Sequence, residues 1–155
     1  MLKHNLMLKS IFLVLIVAVI SACSKDDGKT ESKSDLIIGE WKTIKVEVSP
    51  AYDYDGDGIS DSDIFPVWED CNKDDYTSIK PNAVYEVNRG SIKCFSSQPQ
   101  VDIGTWALAN NENTLVIDGQ DQFEILQLDN TTLKVKFVEN DNGTTRTSIS
   151  TSIRK

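Results

Sequence analysis

"TLKVKFVE", Thr132 to Glu139, sets Leu133, Val135 and Phe137 on one side of an extended chain and Lys134 and Lys136 on the other. Strand side chains alternate faces with period two, whereas a helix groups residues three and four apart. One face is therefore buried and the other wet, as in an antiparallel sheet packed on one side only. "IKVEV" repeats the pattern, with Ile44, Val46 and Val48 against Lys45 and Glu47. Working outward, the alternation predicts eight strands: Trp41 to Val48, Tyr76 to Ile79, Ala83 to Asn88, Asp102 to Ala109, Thr114 to Asp118, Gln122 to Leu128, Thr132 to Glu139 and Thr144 to Ile153. Between them, "KPNA", "ANNEN", "DGQD", "LDNT" and "NDNG" are rich in residues that accept positive φ or preset a turn. No long helical stripe occurs, although "DIFPVWEDC" has room for a turn or two of helix.

Short strands joined by tight turns, with no crossover helices, form a meander. Eight of them can close into a barrel that leaves no edge exposed. The expected fold class is all-β, an eight-stranded antiparallel up-and-down barrel with a long Asp/Gly-rich first connection. A sandwich is the competing architecture and would want longer connections that switch sheets.

The N-terminal segment reads as a targeting signal. Lys3 and Lys9 precede "IFLVLIVAVI", Ile11 to Ile20. Ten residues at about 1.5 Å each cannot cross roughly 30 Å of hydrocarbon, so the run is a signal-peptide core rather than a membrane span. "ISAC", Ile20 to Cys23, resembles the lipobox of bacterial lipoproteins. That resemblance implies cleavage after residue 22, acylation of Cys23 and anchoring to a membrane leaflet; stable anchoring takes more than one acyl chain. "SKDD", Ser24 to Asp27, looks like the acidic signal that some Gram-negative bacteria use to send lipoproteins to the outer face of the outer membrane. From Ser24 to Asp35 no apolar residue occurs, so nothing offsets the entropy of ordering and a disordered tether is expected. The domain reading is thus 1–22 signal, 23–35 acylated cysteine and tether, and 36–155 a single folded domain. A monomer is expected, on the outer membrane, with its periplasmic or outward orientation open.

Charge and cysteine count narrow the partners. The formal charge is −8, and loss of residues 1–22 removes Lys3 and Lys9 but no acid, leaving −10. Such a balance opposes nucleic acid as a partner. With Cys23 lipidated, Cys71 and Cys94 remain as an even pair in an exported chain, where a disulfide is the default. In an up-and-down barrel the first and third connections share one end, so the topology also permits this pairing.

A family resemblance joins these features. "GEW", Gly39 to Trp41, opens the first strand as the Gly-x-Trp signature does in lipocalins. A lipoprotein signal, a polar tether, GEW, an Asp/Gly-rich insert, a cysteine followed by "KDD", a second cysteine and "GTW" at Gly104 to Trp106 follow in order. The arrangement is similar to the lipocalin-like lipoprotein domains of Gram-negative bacteria and covers nearly all of residues 36–155. It implies a barrel whose long first connection lies over the mouth, and, by analogy, a small hydrophobic ligand. Under that reading the insert is a lid stapled by Cys71 and Cys94, with Phe65 and Trp68 as its apolar underside; ordinary core filling is the alternative for both aromatics.

The insert opens with "DYDGDGISDSD", Asp53 to Asp63. Asp53, Asp55, Asp57 and Asp61 fall at positions 1, 3, 5 and 9 of a calcium loop, Gly58 stands at position 6, and Ile59 offers a carbonyl from position 7. Crowded carboxylates repel one another, and a bound divalent cation relieves that repulsion. Position 12 holds Ile64 instead of a bidentate glutamate, so a weak structural Ca2+ site is expected, against the alternative of a solvated acidic turn.

Catalysis is not expected. The one histidine, His4, lies in the signal segment, which excludes Ser-His-Asp and Cys-His nucleophiles and histidine-held zinc from the mature chain. Carboxylates such as Glu69, Asp70, Asp74 and Asp75 remain, in a run that reads as solvated surface. Ile44, Val46, Tyr85, Val87, Trp106, Leu108, Leu115, Val135 and Phe137 are predicted to face inward. Of these, Tyr85, Val87, Trp106, Leu108 and Phe137 are the expected ligand contacts. The alternatives are a solid core, and a surface adhesion or protein-interaction module whose lid is merely stiffened by calcium.

Overall fold

The structure is a computed structural model that describes residues 31–141 and 143–155. The expected signal over 1–22, the lipidation at Cys23 and the acidic "SKDD" lie outside the described residues. Among the described residues, nine strands form one antiparallel sheet: β1 (Gly39–Tyr52), β2 (Asp61–Asp63), β3 (Tyr76–Ile79), β4 (Val84–Asn88), β5 (Val101–Ala109), β6 (Thr114–Ile117), β7 (Asp121–Leu128), β8 (Thr132–Asp141) and β9 (Thr144–Arg154). Strands β3 to β9 pair in sequence order, and β1 pairs with both β3 and β9. That double pairing closes an eight-stranded up-and-down barrel, the expected architecture.

The ninth strand was not anticipated. β2 is three residues of the insert folded back along the far half of β1, with Glu47 opposite Asp63 and Tyr52 opposite Asp61. "DSD" has no apolar alternation, so no periodicity marks it. β1 also runs to Tyr52, past the expected end at Val48.

Alternation explains which residues line the barrel. Leu133, Val135 and Phe137 of β8 lie opposite Ser152, Ser150 and Ser148 of β9, and Val46 and Val48 of β1 lie opposite Ser150 and Ser148. Residues directly opposite share a face, so all eight point inward. Outside, Glu124 lies opposite Lys136 and forms an ion pair with it.

Ile44 breaks the pattern. It was expected inside, yet it is 43% exposed. Thr43 pairs with Ser152 and Lys45 with Thr151, leaving Ile44 as an extra residue without a partner. This bulge resets the phase of β1, so that Trp41 and Thr43 before it and Val46 and Val48 after it share the inner face.

The base of the barrel is closed by the two ends of the domain. α1 (Lys33–Leu36) is one helical turn capped by Ser32, whose hydroxyl accepts from the Asp35 N–H at 3.1 Å. The stretch expected to be disordered through Asp35 is therefore ordered at its end. Composition alone did not show that Lys33 would be held by the β5–β6 turn, through its N–H to Glu112 at 3.2 Å and its ammonium to Asn113 at 2.6 Å.

Ile37 and Trp41 are the most deeply buried side chains, and the Trp41 indole donates to the Ile37 carbonyl at 2.8 Å. Arg154, at the end of β9, lies over the Trp41 ring at 4.4 Å. It donates to the carbonyls of Leu36 at 2.7 Å, Ile38 at 2.8 Å and Asn130 at 2.8 Å. Gly39 makes room for it, since a Cβ there would lie 2.1 Å from the guanidinium.

Replacing Arg154 with alanine strips donors from three carbonyls and uncovers Trp41. We expect a loss of about 2 to 4 kcal/mol, from charged hydrogen bonds and one cation–π contact. It is measured as a fall in the urea midpoint with the m-value unchanged.

Candidate functional site

Inside the barrel is a cavity of about 240 Å3 lined by Trp41, Thr43, Thr77, Ile79, Tyr85, Leu115, Ile117, Phe123, Leu133, Val135, Ser150 and Ser152. Its walls are mostly aliphatic and aromatic, with hydroxyls concentrated on β1, β3 and β9. The serines explain the space. β9 reads "TSISTSI" from Thr147 to Ile153 and turns its small polar side chains inward. A filled core would need large apolar residues there.

Tyr85 is the one phenol on this wall. Burial pushes its hydroxyl above the ordinary tyrosine value, with Thr77 partly offsetting the shift. It therefore stays protonated at neutral pH and keeps a proton to donate.

Toward the open end, a second cavity of about 330 Å3 is lined by Trp41, Thr43, Tyr54, Trp68, Asn72, Asp75, Tyr76, Thr77, Val87 and Arg89. Trp41, Thr43 and Thr77 line both, so the two spaces adjoin. The insert between β1 and β3 supplies Tyr54, Trp68, Asn72 and Asp75. It sits over the mouth by burying Ile64 against Val46 and Val48, with Tyr52, Phe65, Val67 and Trp68 packed around them. Phe65 and Trp68 contact each other at 5.5 Å between ring centroids.

Three ties hold the end of this insert, which includes the helical turn α2 (Asp70–Lys73), to the connection between β4 and β5. A disulfide joins Cys71 to Cys94, with the Cα atoms 5.2 Å apart. Asp74 accepts from the Ser91 N–H at 2.7 Å, the Ser91 hydroxyl at 2.8 Å and the Ile92 N–H at 3.1 Å. Against the effect of burial, the Ser91 and Ile92 donors hold its carboxyl below the usual aspartate value. Asp75 pairs with Arg89 at 2.9 Å, and Arg89 also pairs with Asp102. Asp102 and then Asp75 raise the guanidinium above its ordinary value.

The acidic loop extends from the lid into solvent. Carboxylate oxygens of Asp53, Asp55 and Asp61 lie within 4.8 Å of one another. The Asp53 carboxylate accepts from the N–H groups of Gly56 at 2.7 Å and Gly58 at 2.9 Å, and Gly58 takes φ +89°, as the sharp turn requires. Asp57 stands outside that cluster; its carboxylate accepts from the Ile59 N–H at 2.7 Å. Ile64, where a calcium loop would carry its last ligand, is buried in the lid.

A family model for a lipocalin-like domain matches residues 37–135. The chain belongs to the lipocalin-like domain family. Among solved structures it is similar to a bovine odorant binding protein, a deswapped triple mutant, at 14% identity. That likeness covers 80% of this chain and 75% of the other with a TM-score of 0.43. No curated protein sequence matches.

Within this lipocalin-like barrel the expected ligand contacts separate. Tyr85 lines the inner cavity and Val87 the mouth. Trp106 is at the base, where its indole donates to the Lys80 carbonyl at 2.9 Å, beside Ile38 and Pro81. Leu108 packs on the buried core, and Phe137 stacks on Phe123 at 5.0 Å; neither lines either cavity. The lining residues Thr43, Thr77, Ser150 and Ser152 were not anticipated, because an apolar-inside rule assigns hydroxyls to the wet face. The available signal was the serine–isoleucine alternation of β9, read with its polarity reversed.

Proposed function

We propose that the protein binds a small, largely apolar ligand inside the barrel and performs no catalysis. The observation that carries this reading is the inner cavity, walled by Ile79, Leu115, Ile117, Phe123, Leu133 and Val135 and adjoining a second space under the lid. Apolar clefts with a few placed polar groups are the usual form of small-molecule sites. The fluorescent probe N-phenyl-1-naphthylamine is expected to bind with one-to-one stoichiometry and a blue-shifted emission. Ser150→Phe fills the cavity and should abolish that binding while leaving the far-ultraviolet dichroism unchanged. Absence of probe binding to the wild type would favour the surface interaction module instead.

The proposal includes a lipid anchor. The lipobox-like "ISAC" ending at Cys23 and the "SKDD" that follows support a lipoprotein on the outer membrane, held by acyl chains on Cys23. Cys23→Ser should move the chain from the membrane fraction to the soluble fraction in a Gram-negative host.

We also assign the Asp53, Asp55 and Asp61 cluster to a weak structural calcium site, completed by Asp57 and the Ile59 carbonyl after local rearrangement. Affinities of extracellular modules run from about 10⁻⁴ to 10⁻³ M, which at 10 mM Ca2+ stabilises the fold by about 1.4 to 2.7 kcal/mol. The expected result is a melting temperature that rises with Ca2+ and returns with EDTA, and Asp53→Ala should remove the response. A flat melt across that range would leave the loop as a solvated turn.

A further inference from the structure

Three polar atoms at the mouth have no hydrogen-bond partner among the described residues: Trp68 Nε1, Arg89 Nε and Asp75 Oδ1. All three are buried, and all three side chains line the mouth cavity. A buried donor or acceptor left unpaired costs about 1–3 kcal/mol. Three on one wall is a large share of the roughly 5–15 kcal/mol that stabilises a domain. Such groups are few in native structures, and each calls for a partner. The lid brings them together: Trp68 and Asp75 come from the insert, and Arg89 from the connection that Cys71 and Cys94 tie to it.

We propose that this wall recognises the uncharged polar head of an amphipathic ligand, an alcohol or primary amide, whose apolar tail lies in the inner cavity. The proposal rests on the barrel-binding reading and names the class of molecule that the site takes. The wall offers two donors and one acceptor. A hydroxyl or amide meets both kinds, since it accepts from Trp68 or Arg89 and donates to Asp75. A carboxylate only accepts and an ammonium only donates, so either ion leaves part of the wall unmet. Arg89 has no surplus charge to draw an anion, because Asp75 and Asp102 already flank it. An ion would also have to shed its water, at a cost well above that for a hydroxyl.

The test displaces N-phenyl-1-naphthylamine at pH 7 with four compounds sharing an eight-carbon tail: octan-1-ol, octyl methyl ether, nonanoate and octylammonium. Octan-1-ol should displace the probe at a concentration about tenfold below either ion. It should also act about fivefold below the ether, which is more apolar but has no proton for Asp75. Trp68→Phe keeps an aromatic ring but removes one donor; with the probe's affinity measured on that variant and used to convert displacement to a dissociation constant, octan-1-ol should weaken about fivefold. The wild-type ranking stands by itself should that variant not fold. Probe binding with equal displacement by alcohol and ether, or with nonanoate or octylammonium preferred, overturns the head-group assignment and leaves the barrel reading intact. No probe binding at all overturns both.

Discussion

Arg154 reaches from the last residues of β9 to the carbonyls of Leu36 and Ile38 and lies across the Trp41 ring. This contact locks the end of the domain onto its beginning, and the barrel depends on it. Without the pairing of β1 to β9, registered from Trp41 opposite Arg154 to Ser49 opposite Thr147, the meander would be an open sheet with two unpaired edges. The same contact explains why the first strand begins with glycine and continues with tryptophan. The glycine yields space to the guanidinium, and the tryptophan supplies the face on which it rests.

Closure at the base leaves the other end to the connections. Up-and-down topology places the insert after β1 and the connection after β4 at the same end, where the disulfide, Asp74 and the Asp75–Arg89 pair join them. The barrel's interior thus has a solid floor of Ile37, Trp41 and neighbouring side chains and a stapled roof carrying Phe65 and Trp68. The space between exists because β9 contributes serines where β8 contributes Leu133, Val135 and Phe137. Small residues on one strand beside large ones on its neighbour open a pocket without weakening the sheet, since ladder hydrogen bonds are indifferent to side-chain size.

Polar groups then set the character of that space. The hydroxyls on β1, β3 and β9 and the protonated Tyr85 give the inner cavity some polarity on an otherwise apolar wall. At the mouth, Arg89 is held between two carboxylates, so it works as a directed donor more than as a free charge. The acidic loop is a separate device. It projects from the lid, and its three clustered carboxylates line neither of the two cavities.

The amino-acid sequence by itself determined the class of fold, because alternation with period two and turn chemistry are local properties. "TLKVKFVE" could only be a half-buried strand, and eight such runs with tight turns could close. The even pair of cysteines and the spacing of the acidic loop were legible for the same reason. Tertiary structure alone decided the site. Only the pairing of β1 with β9 reveals that Ile44 is the extra residue of a bulge and that the serines of β9 face inward. Trp106 and Leu108 have the right periodicity for a ligand wall yet serve the base and the packed core, because depth along a barrel is set by strand register and tilt. Trp68 and Asp75 lie on one connection and Arg89 on another, and they meet only where the two connections share an end. Periodicity tells which residues share a face, and closure tells which faces enclose space.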